Sequence, residues 1–466
     1  MFQTIIGAIS SFMYSKLLVI LLIGAGVYFT VRTRFPQVRL FKNACGSVME
    51  KPEDKGAISS FQALMVSTAS RVGTGNIVGV SSAICIGGFG SVFWMWVIAI
   101  IGSASALIES TLAQIYKKKG EDGSCYGGPA YYIEAALHCR PLAIVFCVAM
   151  ILTYAFGFNM LASYNLQSTF SVFSFYDAKM SPWIIGGILA VLTGWCLLGG
   201  GSRIVKVTSM VVPVMGIAYI GISLLVVIIN IQNVPAMFVR IFEEAFDFKA
   251  IFGAFSGSAM MQGIRRGLYS NEAGIGSAPN ASASANVSHP VKQGLIQALS
   301  VFTDTIVICS CTAFIILLSD LPLDGTLKGI QLTQAAVGHE IGPFGAQFIA
   351  FCILLFAFSS IVGNYSYCET NLFFISRHPA GLQIYRIAVG GMVFFGSVAG
   401  LDIVWNLADL FMALMTLINL IALIFLGHLA LKALKNYNDQ KRRGIKSPVF
   451  KASDIPEIED QLSEWK

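Results

Sequence analysis

Long apolar runs separated by short polar ones dominate the chain, and eleven of them are long enough to cross a membrane as helices. They cover roughly 14–34, 57–86, 89–116, 141–173, 182–200, 207–231, 249–278, 293–319, 345–374, 385–401 and 403–434. Between the third and fourth, "GGPAYYIEAAL" predicts a short helix at the membrane surface, started by its Gly-Gly-Pro. The first dozen residues form a similar amphipathic piece. They lack the basic start and cleavage site of a signal peptide, so they are expected to be retained. The pattern predicts an all-α polytopic membrane protein.

Two spans differ from the rest. The second contains "RVGTGNIVGV", residues 71–80, and the seventh reads "IFGAFSGSAMMQGIRRGLYSNEAGIGSAPNASASAN". Each opens a block of five spans, 57–231 and 249–434, with 14–34 as an extra first helix. Such spacing of polar, glycine-rich spans points to an inverted repeat with a site where two broken helices meet. Residues 1–434 then form one transmembrane domain, and 435–466 a polar tail expected to be disordered and cytoplasmic.

An unpaired amide or carbonyl in hydrocarbon costs several kcal/mol, so a broken helix survives only inside protein or beside a cavity. Gly73, Gly75 and Gly79 permit the break. A half-helix starting near Thr74 presents free N–H groups and a positive dipole end to a carboxylate, while the carbonyls of Ala69 to Val72 suit a small cation. One site can thus hold a zwitterion and a cation without a formal charge from the protein. Gly75 to Gly79 is also a GxxxG packing motif. The polar Ser67, Thr68, Ser70, Thr74 and Asn76 around it favour the break instead. A dinucleotide site is excluded, because the spacing is G-x-G-x-x-x-G and no strand precedes it.

Composition agrees: 55% of the 466 residues are hydrophobic and only 12% charged, and mean hydropathy is +0.71. The formal charge of +6 carries no nucleic-acid signal, since most of the lysines and arginines fall between spans. Alternating the loops puts 25 of the 31 on one side, which predicts an outside N-terminus and a cytoplasmic C-terminus. The ten cysteines are scattered through apolar runs and suggest neither a metal site nor a disulfide framework.

"RVGTGNIVGV", "GGPAYYI", "RRGLYSNEAGIGSAPNA", "HPVKQG" and "DTIVICSCTA" together resemble the alanine or glycine:cation symporter family, also called sodium:alanine symporters. The resemblance runs from about residue 15 to 430 and implies a leucine-transporter-type fold, with spans two to eleven as its ten core helices. It implies uptake of a small neutral amino acid across the cell (inner) membrane, driven by sodium or, in some members, by protons. No organic cofactor, nucleic acid or obligate protein partner is implied; the lipid bilayer is the expected surrounding.

The resemblance also implies site residues. The sodium would take the carbonyls of Ala69, Val72 and Phe356 and the hydroxyls of Ser359 and Ser360, an oxygen-only set suited to a hard cation. Substrate would meet Gly73, Thr74, Gly75 and Asn76 on span two, and Ser256, Gly257, Ser258, Gln262 and Gly263 on span seven. On span four it would meet Asn159 and Ala162. Ala162 stands where the family usually has a glutamine, which makes room for a larger cargo such as glutamine, or for serine. Asp304 is either a coupling-ion site or a structural pair with Arg71; Glu109 is the other acid at similar depth. Arg265, Arg266, Asn271 and Glu272 are expected in an inner gate. A facilitative channel would not need two broken helices, and a protease dyad of Ser256 and His428 would be split in depth.

Overall fold

The computed structural model describes residues 12–52, 54, 56–120, 123–247, 258–323 and 325–465, apart from the side chains of 14–16 and 401–404. The first eleven residues, and Ser256 and Gly257, lie outside the described residues. With no water to bond to in hydrocarbon, the backbone pairs within helices. Eight helices among the described residues are long and apolar enough to cross a membrane. Shorter pieces account for the remaining apolar runs.

In chain order, α1 (Val19–Arg32) is followed by α2 (Ser60–Arg71), a break, a π-helical turn over Gly75–Gly79, and α3 (Val80–Gly87). Next come α4 (Gly90–Ile115), the short α5 (Pro129–Leu137), α6 (Arg140–Val172), α7 (Ser181–Leu198) and α8 (Gly200–Ile229). A short hairpin pairs Lys118 with Tyr126 and Lys119 with Cys125 before α5. The second half runs through α9 (Val234–Ala245), α10 (Ala259–Asn271), a second break, and α11 (Ala278–Ala283). It closes with α12 (Pro290–Leu318), α13 (Ile330–Ile341), α14 (Phe344–Ile375), α15 (Pro379–Val398) and α16 (Leu401–Arg442).

Both broken spans are therefore present, but the second break is not where the sequence suggests. α10 is continuous through Gln262 and Gly263, and the interruption follows Asn271, nine residues after Gln262. Glu272, Gly274 and Gly276 there have φ of +53°, +79° and +93°. Left-handed backbone of this kind ends a helix.

The packing shows why both breaks are tolerated. α4 carries Gly-Ser-Ala-Ser-Ala at 102–106, small side chains that let the second break approach: a Cβ on Gly102 would lie 2.9 Å from that of Ala273. The buried Glu109, one turn beyond, accepts hydrogen bonds from the amides of Gly274 (3.2 Å) and Gly276 (3.1 Å). Asn419 of α16 donates to Glu109 (2.9 Å) and to the Gly274 carbonyl (2.9 Å), and accepts from the Tyr132 hydroxyl (2.5 Å). On the first broken span, Gly363 of α14 lies so close that a Cβ would stand 2.7 Å from the Ser70 amide.

The C-terminal region departs from expectation. α16 runs to Arg442 rather than ending near 434, and the tail beyond it is packed. Phe450, Ala452, Ile455, Ile458, Leu462 and Trp465 are buried. Phe450 donates its amide to the Ser288 carbonyl (2.9 Å), and the Trp465 indole to the Gln114 carbonyl (3.0 Å). The tail thus straps the end of the bundle where α4 stops and α12 starts, called here the tail end. A high density of charge in 435–466 hid these spaced apolar anchors.

Two outcomes follow. Gly363→Ala should lower the thermal unfolding midpoint of the purified protein, by overpacking of about 1–3 kcal/mol, whereas Gly391→Ala, with open space around it, should not. Equal midpoints would mean that α14 does not press on Ser70. Glu109→Ala leaves two buried amides without an acceptor, about 1–3 kcal/mol each, and should lower the midpoint further than Glu109→Gln, which keeps one carbonyl oxygen.

Candidate functional site

At the first break the chain leaves helical geometry at Val72 (φ −77°, ψ +83°) and re-enters it at Thr74. The Asn76 side chain folds back to accept the Gly73 amide (2.9 Å), while the amides of Thr74 and Gly75 form no hydrogen bond among the described residues. Asn76 donates in turn to Asp304 Oδ1 on α12 (2.6 Å). The other oxygen of Asp304 accepts from Ser270 at the end of α10 (2.8 Å) and from Thr305 (2.9 Å). One buried carboxylate therefore ties the two broken spans together. Asn76 is fully buried behind the break and, contrary to expectation, does not line the cavity between the spans.

That cavity is lined by Ser70, Arg71, Gly73, Thr74 and Gly75 of the first break, Tyr269 and Glu272 of the second, Phe158 and Ala162 of α6, and Ser360 and Asn364 of α14. Its volume is about 20 Å³, room for one or two waters. Gly73, Thr74, Gly75 and Ala162 thus stand where the sequence suggests. Asn159 sits one layer back and accepts from Asn364 (2.9 Å). Ser258 caps the start of α10 by accepting from the Met261 amide (3.3 Å), and Gly263 packs against Trp94, so Ser258, Gln262 and Gly263 lie away from the cavity. They share the composition of the true break without its geometry.

Phe158, Tyr269, Asn364 and Ser70 were not foreseen as cavity residues. A signal existed for Asn364, which is one helical turn after Ser360 and faces the same way. Ser70 donates to Asn364 (2.7 Å) and to Glu272 (3.1 Å), and Ser277 also donates to Glu272 (2.8 Å).

The expected cation residues divide. The Ser359 hydroxyl bonds back to the Phe356 carbonyl (3.1 Å) and contacts the Met215 sulfur (3.4 Å). The Ser360 hydroxyl is buried, has no partner among the described residues, and points at Gly73, where a Cβ would collide with it. An unsatisfied hydroxyl beside the carbonyl end of a broken helix fits a small hard cation.

The charged residues also differ from expectation. Arg71 pairs with neither Asp304 nor Glu109: it donates to the Gln297 side chain (2.9 Å), and its Nε and Nη2 have no partner among the described residues. Glu109 holds the second break. Among the described residues the cavity is lined by one group of each sign, Arg71 and Glu272, so its charge is not left to backbone dipoles alone.

Arg265 and Arg266 are not at the tail end. They lie at the opposite end of the bundle, where both form ion pairs with Asp409 and Arg266 stacks on Trp405 (4.3 Å). These groups line a cavity of about 420 Å³ that also reaches Lys328 and Gln331. Between this vestibule and the central cavity lie three rings: Phe158 against Tyr269 (4.8 Å) and Tyr269 against Trp405 (5.1 Å). Tyr269 packs on Gly75, where a Cβ would come within 2.5 Å of its ring. His428 is exposed near the tail end, bonded to the Phe425 carbonyl (2.9 Å), far along α16 from the break that Asn419 supports.

The chain resembles known proteins over nearly its whole length. Residues 1–452 match the model of the sodium:alanine symporter family. The amino-acid carrier protein AlsT of Bacillus subtilis is 48% identical, covering 98% of this chain and 97% of that protein. A probable sodium/glutamine symporter of the same organism, GlnT, is 46% identical over 96% and 93%. Among solved structures, MhsT in complex with L-phenylalanine superposes with a TM-score of 0.59 at 13% identity, covering 89% of this chain and 93% of that one. This likeness fixes a leucine-transporter-type fold. By family, fold and paired helix breaks, the chain belongs to the sodium:alanine symporter family, and it is a membrane transporter for a small amino acid coupled to sodium, not an enzyme.

Proposed function

We propose that the cavity between the two breaks is the amino-acid site, that Ser360 marks the sodium site beside it, and that the preferred cargo is a neutral amino acid larger than alanine, with glutamine first. The carrying observation is the cavity lining itself: the amides of Thr74 and Gly75, without partners among the described residues, and the Arg71 guanidinium, together with Glu272 and Asn364. A zwitterion matches that lining, carboxylate toward the amides and guanidinium and ammonium toward Glu272 and Asn364. Ala162 lines this cavity where the family usually has a glutamine, so the lining lacks that amide. The relative named as a sodium/glutamine symporter supports the same cargo.

The sodium would take the carbonyls of Ala69 and Val72 with the Ser360 hydroxyl, and Phe356 and Ser359 would join on the α14 side once the Ser359 hydroxyl turns away from the Phe356 carbonyl it now bonds. Asp304 acts as a brace between the broken spans, since both of its oxygens are engaged by side chains. Protons are the alternative coupling ion, and an imposed proton gradient separates the two. The excess of lysine and arginine at the tail end supports a cytoplasmic C-terminus and an outside N-terminus in the cell (inner) membrane. Sodium and amino acid then enter through the vestibule, the three rings close over them, and the tail end opens by alternating access. Each inward charge gains about 2.3 kcal/mol per 100 mV, enough for concentrative uptake.

Proteoliposomes given an inward sodium gradient should accumulate labelled glutamine above alanine, serine and glycine. Uptake indifferent to sodium, whether or not protons replace it, sinks the sodium assignment. Ser360→Ala should raise the half-saturating sodium concentration about tenfold, the loss of one good ligand, with cargo preference unchanged. Ala162→Gln should shift preference from glutamine toward alanine and glycine; an unchanged preference would place specificity elsewhere.

A further inference from the structure

A second cavity, larger than the central one, opens at the tail end on the outside of the bundle, between the end of α1 and the last turns of α16. Its volume is about 480 Å³, and six cations line it: Arg32, Arg34, Arg39, Lys432, Lys435 and Arg442. Asp439 is the one acid among its described lining residues, and it lies 3.7 Å from Arg442. Glu457 of the tail pairs with Lys432. Arg32, Arg34, Arg39 and Lys435 have no acidic partner among the described residues. Four or more uncompensated charges around one hollow repel each other and attract an anion.

The position of the hollow selects the anion. α1 carries no charged residue from Val19 to Val31, and α16 has no acid, lysine or arginine from Leu410 to Leu431; both turn basic at the next residue. Arg32 and Leu431 line the same cavity, so the two helices meet where each passes from hydrocarbon to headgroup depth. Directly toward the hydrocarbon the surface is apolar and exposed: Tyr28 is 49% exposed and Val31 60% on α1, Phe425 64% on α16. A free phosphate or a soluble nucleotide would have no use for that adjoining face. A lipid needs both. Guanidinium groups suit its phosphate, since their paired N–H donors match two phosphate oxygens.

We propose that this groove binds an anionic phospholipid, with the headgroup phosphate among Arg32, Arg34 and Lys435 and the acyl chains along Tyr28, Val31 and Phe425. Nothing in the amino-acid site or its coupling ion is needed for this. The bound lipid clamps the extra helix α1 to α16, the helix that also carries Asn419 under the second break and Trp405 over the central cavity.

The test uses the full chain in nanodiscs of phosphatidylcholine with or without phosphatidylglycerol, with lipids retained after delipidation counted by native mass spectrometry. Wild type should retain phosphatidylglycerol over phosphatidylcholine by about tenfold or more, and Arg32→Gln/Arg34→Gln/Lys435→Gln should bring the ratio within about twofold. The single variant Lys435→Gln, at an exposed position, should reduce the ratio about threefold and covers the case that the triple variant does not fold. Inorganic phosphate should not displace the lipid or raise the thermal midpoint. Equal retention of the two lipids by wild type overturns the proposal, as does an undiminished ratio in Lys435→Gln. Stabilisation by inorganic phosphate alone would make this an anion site and not a lipid site.

Discussion

Everything at the centre of this protein depends on how interrupted backbone is satisfied in a medium that offers no water. A helix in hydrocarbon pairs its own amides and carbonyls; a broken one must borrow partners. Here the partners are side chains, one from the broken span itself and the rest from other helices. Asn76 takes the Gly73 amide and is itself held by Asp304, while Glu109 and Asn419 take the amides and a carbonyl of 274–276. Each break is therefore pinned to the packed core, at α12 for the first and at α4 and α16 for the second. What has no partner among the described residues, the amides of Thr74 and Gly75 and the Ser360 hydroxyl, faces the cavity or Gly73 at its edge.

Charge in the core follows from the same constraint. Glu109, Glu272 and Asp304 are buried with a single guanidinium among them, yet none forms an ion pair with it. Neutral hydrogen-bond donors hold the carboxylates instead, so the desolvation that makes a lone buried charge costly is offset by amides and hydroxyls. Arg71 has two nitrogens without a partner among the described residues, beside Glu272. This arrangement is uneconomical for stability alone and well suited to a zwitterion that arrives and leaves.

The first break was legible because its glycines, threonine and asparagine sit within an apolar run at one place. The second was misplaced because Ser256 to Gly263 has the same composition, and composition cannot say where φ turns positive. What marks the true break is Glu109, more than 160 residues away, together with the left-handed Glu272, Gly274 and Gly276. The misassigned Arg265 and Arg266 have the same origin. Moving the break nine residues along α10 moves everything before it toward the opposite end of the bundle. Tertiary capping leaves no local trace, so the ligand side of span two was readable and that of span seven was not.

The two ends of the cavity close by different means, and the difference orders the cycle. Toward the vestibule the barrier is three rings in edge-on and tilted contact, and rotation of Tyr269 away from Gly75 would open the site toward the cavity of about 420 Å³. Toward the tail end the barrier is Glu272 with its two serines, then the packed ends of α2, α4 and α12 under the C-terminal strap. Ring rotation is a local event, whereas opening the tail end must separate elements held by many hydrogen bonds. A cation between the carbonyl end of α2 and Ser360 would bear on this directly. It would brace α2 against α14 at Gly73 and hold the Thr74 and Gly75 amides where a carboxylate can reach them. Sodium binding and amino-acid binding would then reinforce each other through one short stretch of backbone, which is the reciprocity that coupled movement requires.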